Sequence, residues 1–159
     1  MLVSVLASGS EGNSTYVETD DIKLLIDIGM NTKYITEKLN ELGVQASDIN
    51  YIFMTHTHND HIGALSTFIK KYNTTVVLSR SMYEDLESLH DYENVIISDD
   101  PFIKGKTLVD HFKISHDTND ARGYLISDKD ISLVYMTDTG YLNQKYFEKQ
   151  FFLINHKKH

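Results

Sequence analysis

The sequence predicts an α/β sandwich, with hairpins near both ends of the chain and helices between some of the strands. Strand-length apolar runs recur from Leu2 to Thr137, and several lack polar alternation, as strands covered on both faces do. Between some of these runs the apolar spacing changes to that of a helix face, and the hairpins early and late argue against a regular doubly wound sheet.

Leu2–Ala7, Ser14–Thr19 and Lys23–Ile28 read as the first strands. Asn31–Leu42 reads as a helix: Ile35, Leu39 and Leu42 share a face, Asn31 is placed to cap it and Gly43 to stop it. Tyr51–Thr55 is a further strand, followed by a helix over Ile62–Lys71 that aligns Ile62, Leu65, Phe68 and Ile69. After the strand Thr75–Ser79, a helix is predicted over Ser81–His90, where Ser81 and Glu84 have capping-box spacing. Asn94–Ser98, Thr107–Ser115, Gly123–Ser127 and Ile131–Thr137 complete the main strands. A fourth helix is expected over Tyr141–Gln150, then a strand in the terminal "FFLI".

The 159 residues are 41% hydrophobic, enough for one domain with a core, expected to span 1–159. The formal charge of −8 is spread along the chain without a basic block, which argues against a protein that grips nucleic acid by charge alone. A nuclease stays possible, because bound cations supply positive charge locally. With no cysteine, disulfides, thiolate metal sites and cysteine nucleophiles are excluded, so any metal must be held by histidine and carboxylate. No apolar run suits a membrane span and the N-terminus lacks a basic leader, so a cytoplasmic protein is expected.

The chemistry concentrates in "THTHNDH", Thr55–His61. Continued strand alternation would turn His56 and His58 the same way, while Asp60 and His61 fall where the next helix begins. That arrangement suits two adjacent metals, and its imidazole and carboxylate donors favour zinc, manganese or iron. The bland alternative is a solvated histidine-rich loop, but HxHxDH between a buried strand and an amphipathic helix favours ligands. His116, Asp138 and Asp27 each sit where an apolar strand ends, in positions that also suit turn formers. Together with the cluster they point to one shared site. His111 lies on the opposite strand parity from His116 and is expected to face solvent; His90 suits a helix end, and His156 and His159 a basic tail. The glycine-rich "SGSEGNS", Ser8–Ser14, suits either a phosphate contact through Asn13 or a tight hairpin.

The strand–HxHxDH–helix unit with the later His116 and Asp138 resembles the metallo-β-lactamase superfamily in its dinuclear hydrolase branch. "LASGSEGNSTYVE", "LLIDIGM", "ISHD" and "VYMTDTGYL" are more closely similar to the YycJ/WalJ group, relatives of RNase Z and PhnP described as DNA exonucleases. The resemblance covers nearly the whole chain. It implies an αββα sandwich with the site in the seam, and two divalent ions, zinc or manganese, with iron possible. His56, His58 and His116 would hold the first ion, Asp60 and His61 the second, and Asp138 would bridge them. Asp27 would steady a ligand histidine by hydrogen bond, and Asp60 would orient the attacking water or take its proton. The implied partner is nucleic acid, DNA rather than RNA, with no membrane; the oligomeric state is open. Alternatives are RNA processing, cyclic phosphodiester or thioester hydrolysis, the last disfavoured by "SGSEGNS", and a non-catalytic fragment that binds metal.

Members of this group are longer and carry one more histidine ligand in an "HLS"-like motif that this sequence lacks. The second half of the sandwich is therefore expected to be incomplete through truncation, with His156 of "INH" a tail residue and not the replacement ligand. Apolar faces of Leu108–Ser115 and Ile131–Met136 would then lose their cover.

Overall fold

A computed structural model describes residues 1–118 and 120–139, and the backbone of 151–156. The predicted helix over Tyr141–Gln150 and the side chain of His156 lie outside the described residues. Strands β1 (Leu2–Ala7), β2 (Ser14–Glu18) and β3 (Lys23–Ile26) pair antiparallel in succession. Strands β4 (Tyr51–Phe53), β5 (Thr75–Leu78) and β6 (Val95–Ile97) then add in parallel, giving a sheet in the order β1 to β6. The second sheet is an antiparallel meander of β7 (Phe102–Lys104), β8 (Thr107–Lys113), β9 (Arg122–Asp128) and β10 (Ile131–Thr137). Strand β11 (Phe151–His156) pairs parallel to β10 at its edge.

Parallel pairing in the first sheet requires crossover connections, and the helices supply them. Helix α1 (Thr32–Glu41) starts at Asn31, whose side chain accepts the Tyr34 N–H at 2.9 Å, and Gly43 turns the chain away at φ 73°. Its buried Ile35 and Leu39 join Leu25, Ile52, Phe68 and Val76 in a core between the helices and the first sheet. The opposite face of that sheet, through Val17, Leu24, Ile26, Phe53 and Val77, packs on Val109, Tyr124, Ile126, Leu133 and Tyr135 of the second. Strands β3 to β5 are thus apolar on both faces, which explains their hydrophobic runs.

Four expectations are corrected. The helix predicted over Ile62–Lys71 is two: α2 (Asn59–Ile62) and α3 (Leu65–Tyr72). The break falls where the Ala64 N–H donates to Ile28 O at 2.9 Å instead of continuing a helix, and where a Cβ on Gly63 would lie 2.4 Å from Met30 O. Helix α4 (Arg80–Asp85) is capped by Ser79, whose Oγ accepts the Met82 N–H at 3.1 Å, so Ser81 is not its cap; a 3₁₀ turn, Glu87–Leu89, follows separately. Strand β7 was not anticipated, being three residues long; Gly105, at φ 58°, makes the turn that folds it onto β8. Finally, the facing of β8 is the reverse of that expected. Val109 is buried between the sheets and His111 shares its parity and is half-buried, while Leu108 and Phe112 face outward.

On that outward face Leu108, Phe112 and Leu125 are half-buried and Val134 and Met136 are buried, so the apolar surface there is only partly open. No helix among the described residues is long and apolar enough to cross a membrane.

Candidate metal centre

The site residues converge because strands of both sheets end on the same side of the sandwich. Asp27 follows β3, and its N–H still donates to Phe53 O at 2.9 Å before the chain turns at φ 59°. Asp138 follows β10 in the same left-handed conformation, at φ 54°, which aspartate tolerates better than most residues. Beyond β4 the chain leaves the sheet, so His56 and His58 lie in a loop and His61 lies on α2. His116 comes from the loop between β8 and β9, closed at its base by the Ile114 N–H donating to Ala121 O at 3.0 Å.

Two sets of donor atoms result. One nitrogen each from His56, His58 and His116 lie within 4.8 Å of one another, as do donor atoms of His56, His61 and Asp138. Within the first set, His58 Nδ1 and His116 Nε2 are 3.3 Å apart. Within the second, Asp138 Oδ2 is 3.1 Å from His61 Nε2 and 3.6 Å from His56 Nε2, and His56 is the residue common to both sets. Asp60 Oδ2 lies 3.3 Å from His61 Nε2. The structure therefore brings together all six residues the sequence singled out as ligands.

Asp27 organises the buried part of this cluster. Its Oδ2 accepts from His61 Nδ1 at 2.6 Å and from Thr55 Oγ1 at 2.6 Å, while its Oδ1 accepts the Thr55 N–H at 2.7 Å. The Thr55 hydroxyl, its proton committed to Asp27, then accepts from His56 Nδ1 at 2.9 Å. One carboxylate thus sets the tautomer of two imidazoles, directly for His61 and through Thr55 for His56, leaving both Nε2 lone pairs turned inward. Sequence reasoning missed Thr55. Its position just before the first histidine was the available signal.

This arrangement asks for a cation. His56 Nε2 is fully buried and makes no hydrogen bond, a cost that coordination would remove. Burial, followed by the neighbouring His61 charge, pushes His56 down to about 4, so it is neutral and free to donate its lone pair near neutral pH. Burial opposes a charge on His61 as well, but Asp27, then Asp60 and Asp138, outweigh it and raise its pKa. Lone pairs and carboxylate oxygens face one another here, so either a proton on His61 or a metal ion must compensate. The donor set fits a divalent metal.

Close backbone contacts hold the surrounding loops. Asn13 N–H donates to Asp60 O at 2.7 Å, Gly29 N–H to Asn13 O at 2.8 Å, and Ile28 N–H to His61 O at 2.9 Å. A Cβ on Gly29 would lie 2.1 Å from Asp60 O, so only glycine lets these strands of backbone meet. The Asn13 side chain is turned inward to Gly9 and Asp60, and "SGSEGNS" is a hairpin turn closed on itself. On the other flank, the buried Arg122 guanidinium binds Ser98 O at 3.1 Å and the carboxylates of Asp99 and Asp120, while the Arg122 main-chain N–H donates to Thr55 O at 2.8 Å. This ties the His116 loop to the first sheet. His111 lines a separate cleft of about 490 Å³ with Arg122 and Lys113, and His90 Nε2 donates to Tyr83 O at 2.9 Å; neither joins the cluster.

Comparison with known proteins agrees with this geometry. A family model described as the metallo-beta-lactamase superfamily matches residues 7–140. An exodeoxyribonuclease WalJ of Streptococcus pneumoniae is 35% identical over 149 residues, covering 89% of this chain and 55% of that protein. An exodeoxyribonuclease YycJ of Bacillus anthracis is 33% identical over 147 residues, covering 89% and 56% respectively. The chain spans about half the length of these curated relatives. The crystal structure of the metallo-beta-lactamase fold protein YhfI from Bacillus subtilis superposes with a TM-score of 0.70 at 19% identity, over 89% of this chain and 65% of that one. At that identity the likeness speaks for the fold alone.

Proposed function

The chain belongs to the metallo-β-lactamase superfamily, and from that premise we propose that it hydrolyses phosphodiester bonds of nucleic acid, DNA rather than RNA, using two divalent ions. The observation that carries this reading is the pair of donor sets that meet at His56: His58 and His116 belong to the first alone, His61 and Asp138 to the second alone. The two exodeoxyribonuclease relatives support DNA as the substrate class. A cytoplasmic setting, where DNA is at hand, accords with this substrate.

His56, His58 and His116 would hold the first ion, Asp60 and His61 the second, and Asp138 would contribute to both. Zinc and manganese suit these donors best, and iron fits the same chemistry. Bound divalent ions supply Lewis-acid charge against the phosphate and make water a usable nucleophile near neutral pH. The chain's own groups do the rest. Asp27 and Thr55 keep the His61 and His56 lone pairs aimed inward. Asp60, 3.3 Å from His61 Nε2, would orient the attacking water or take its proton.

The test is to load the purified chain with manganese or zinc and offer 5′-phosphorylated duplex DNA, a tRNA precursor and bis-p-nitrophenyl phosphate. Cleavage of DNA and of the small diester, abolished by His58→Ala, is expected. Activity on RNA alone would contradict the choice of substrate, and no cleavage of any diester would contradict the reaction class.

A further inference from the structure

The turn between β1 and β2 reaches the metal centre through one side chain. Asn13 is 4% exposed, and its Nδ2 donates to Gly9 O at 2.9 Å and to Asp60 Oδ2 at 3.0 Å. Its Oδ1 accepts the Gly9 N–H at 3.2 Å. The paired contacts with Gly9 decide which end of the amide is which: the reverse orientation would set oxygen against carbonyl and NH₂ against N–H. Gly9 can present both groups because it sits at φ 146°, a conformation open to glycine. The donor end of Asn13 therefore faces Asp60.

Nδ2 also lies 3.3 Å from His61 Nε2, which is itself 3.3 Å from Asp60 Oδ2, so the three atoms form a triangle. Main chain reinforces side chain, since the Asn13 N–H donates to Asp60 O at 2.7 Å. One residue thus grips Asp60 twice from a position 47 residues earlier in the sequence. A neutral amide is suited to this task. It fixes the carboxylate by hydrogen bond and leaves its charge for a cation, where a lysine would cancel that charge.

We propose that Asn13 is a positioning residue for Asp60, holding its Oδ2 beside His61 Nε2 so that both donors face one cation. The role rests on the reading of Asp60 and His61 as holders of the second ion. Asn13 itself contacts no substrate in this assignment and acts through Asp60. The same turn that looked suited to a phosphate contact spends its one buried amide on the metal centre.

The experiment is calorimetric titration of chelator-stripped protein with manganese, for the parent chain, Asn13→Ala, Asp60→Asn and the double variant, with circular dichroism to check folding. Two binding steps are expected in the parent. Asn13→Ala should weaken one step by about 10–100-fold and leave the other unchanged. The double variant should bind no worse than Asp60→Asn, because Asn13 acts through Asp60. Asn13→Asp keeps the size and the acceptor for Gly9 N–H but sets carboxylate beside carboxylate; it guards against a loss of fold in the alanine variant and should weaken the same step. Parental affinity in both Asn13 variants, equal weakening of both steps, or multiplying effects in the double variant would each overturn the role. A parent that takes up one ion only would overturn the two-ion reading and the role with it, whereas two ions with multiplying effects would overturn the role alone.

Discussion

Asp27 and His61 meet at 2.6 Å with both side chains fully buried, and the same carboxylate oxygen takes the Thr55 hydroxyl that supports His56. Removing the charge should therefore disturb two histidines at once. Asp27→Asn is expected to lower metal affinity by about 10–100-fold. It should also cost about 1–3 kcal/mol of stability in urea unfolding, because buried donors lose their acceptor. An affinity equal to the parent's would show that the imidazoles do not depend on this carboxylate.

Thr55 separates orientation from simple packing. Thr55→Val keeps the branched shape but removes the hydroxyl that links Asp27 to His56 Nδ1. Metal binding should weaken, with about 1 kcal/mol lost in stability, and Thr55→Ser should restore both. Equal behaviour of the valine and serine variants would rule out the relay.

Gly29 tests how tightly the loops are fitted. Gly29→Ala places a methyl group about 2 Å from the Asp60 carbonyl, a contact with backbone that no rotamer can relieve. A loss of about 1–3 kcal/mol is expected by thermal or urea unfolding, with metal uptake reduced as Asp60 and Asn13 separate. A variant with unchanged midpoint and metal content would mean that the loops part easily.

Metal removal should be visible in stability. At a free ion concentration one hundred times the Kd, binding contributes about 2.7 kcal/mol, so chelation should lower the melting temperature. His58→Ala should remove most of that shift. His111→Ala, which alters a histidine outside both donor sets, should leave it intact. Equal shifts in both variants would detach the effect from the cluster.

Much of the centre was legible because it sits in one stretch, and HxHxDH between a strand and a helix has few structural uses. His116 and Asp138 could be read from their places at strand ends. Thr55 could not, since its part depends on a carboxylate 28 residues away that pattern does not locate. Asn13 left two readings open until Gly9 and Asp60 were found on either side of its amide. The facing of β8 was misread because apolar residues occupy both of its parities, Val109 on one and Leu108 and Phe112 on the other. The break after α2 was invisible for a related reason: helical spacing runs through Gly63, and what interrupts it is a tertiary bond, the Ala64 N–H donating to Ile28 O.

The central claim is that two ions share this cluster. Anomalous diffraction from crystals grown with manganese or zinc tests it most directly. Two peaks are expected, one within bonding distance of His56, His58 and His116, the other within bonding distance of Asp60 and His61, with Asp138 reaching both. A single peak, or peaks away from these six side chains, would contradict it.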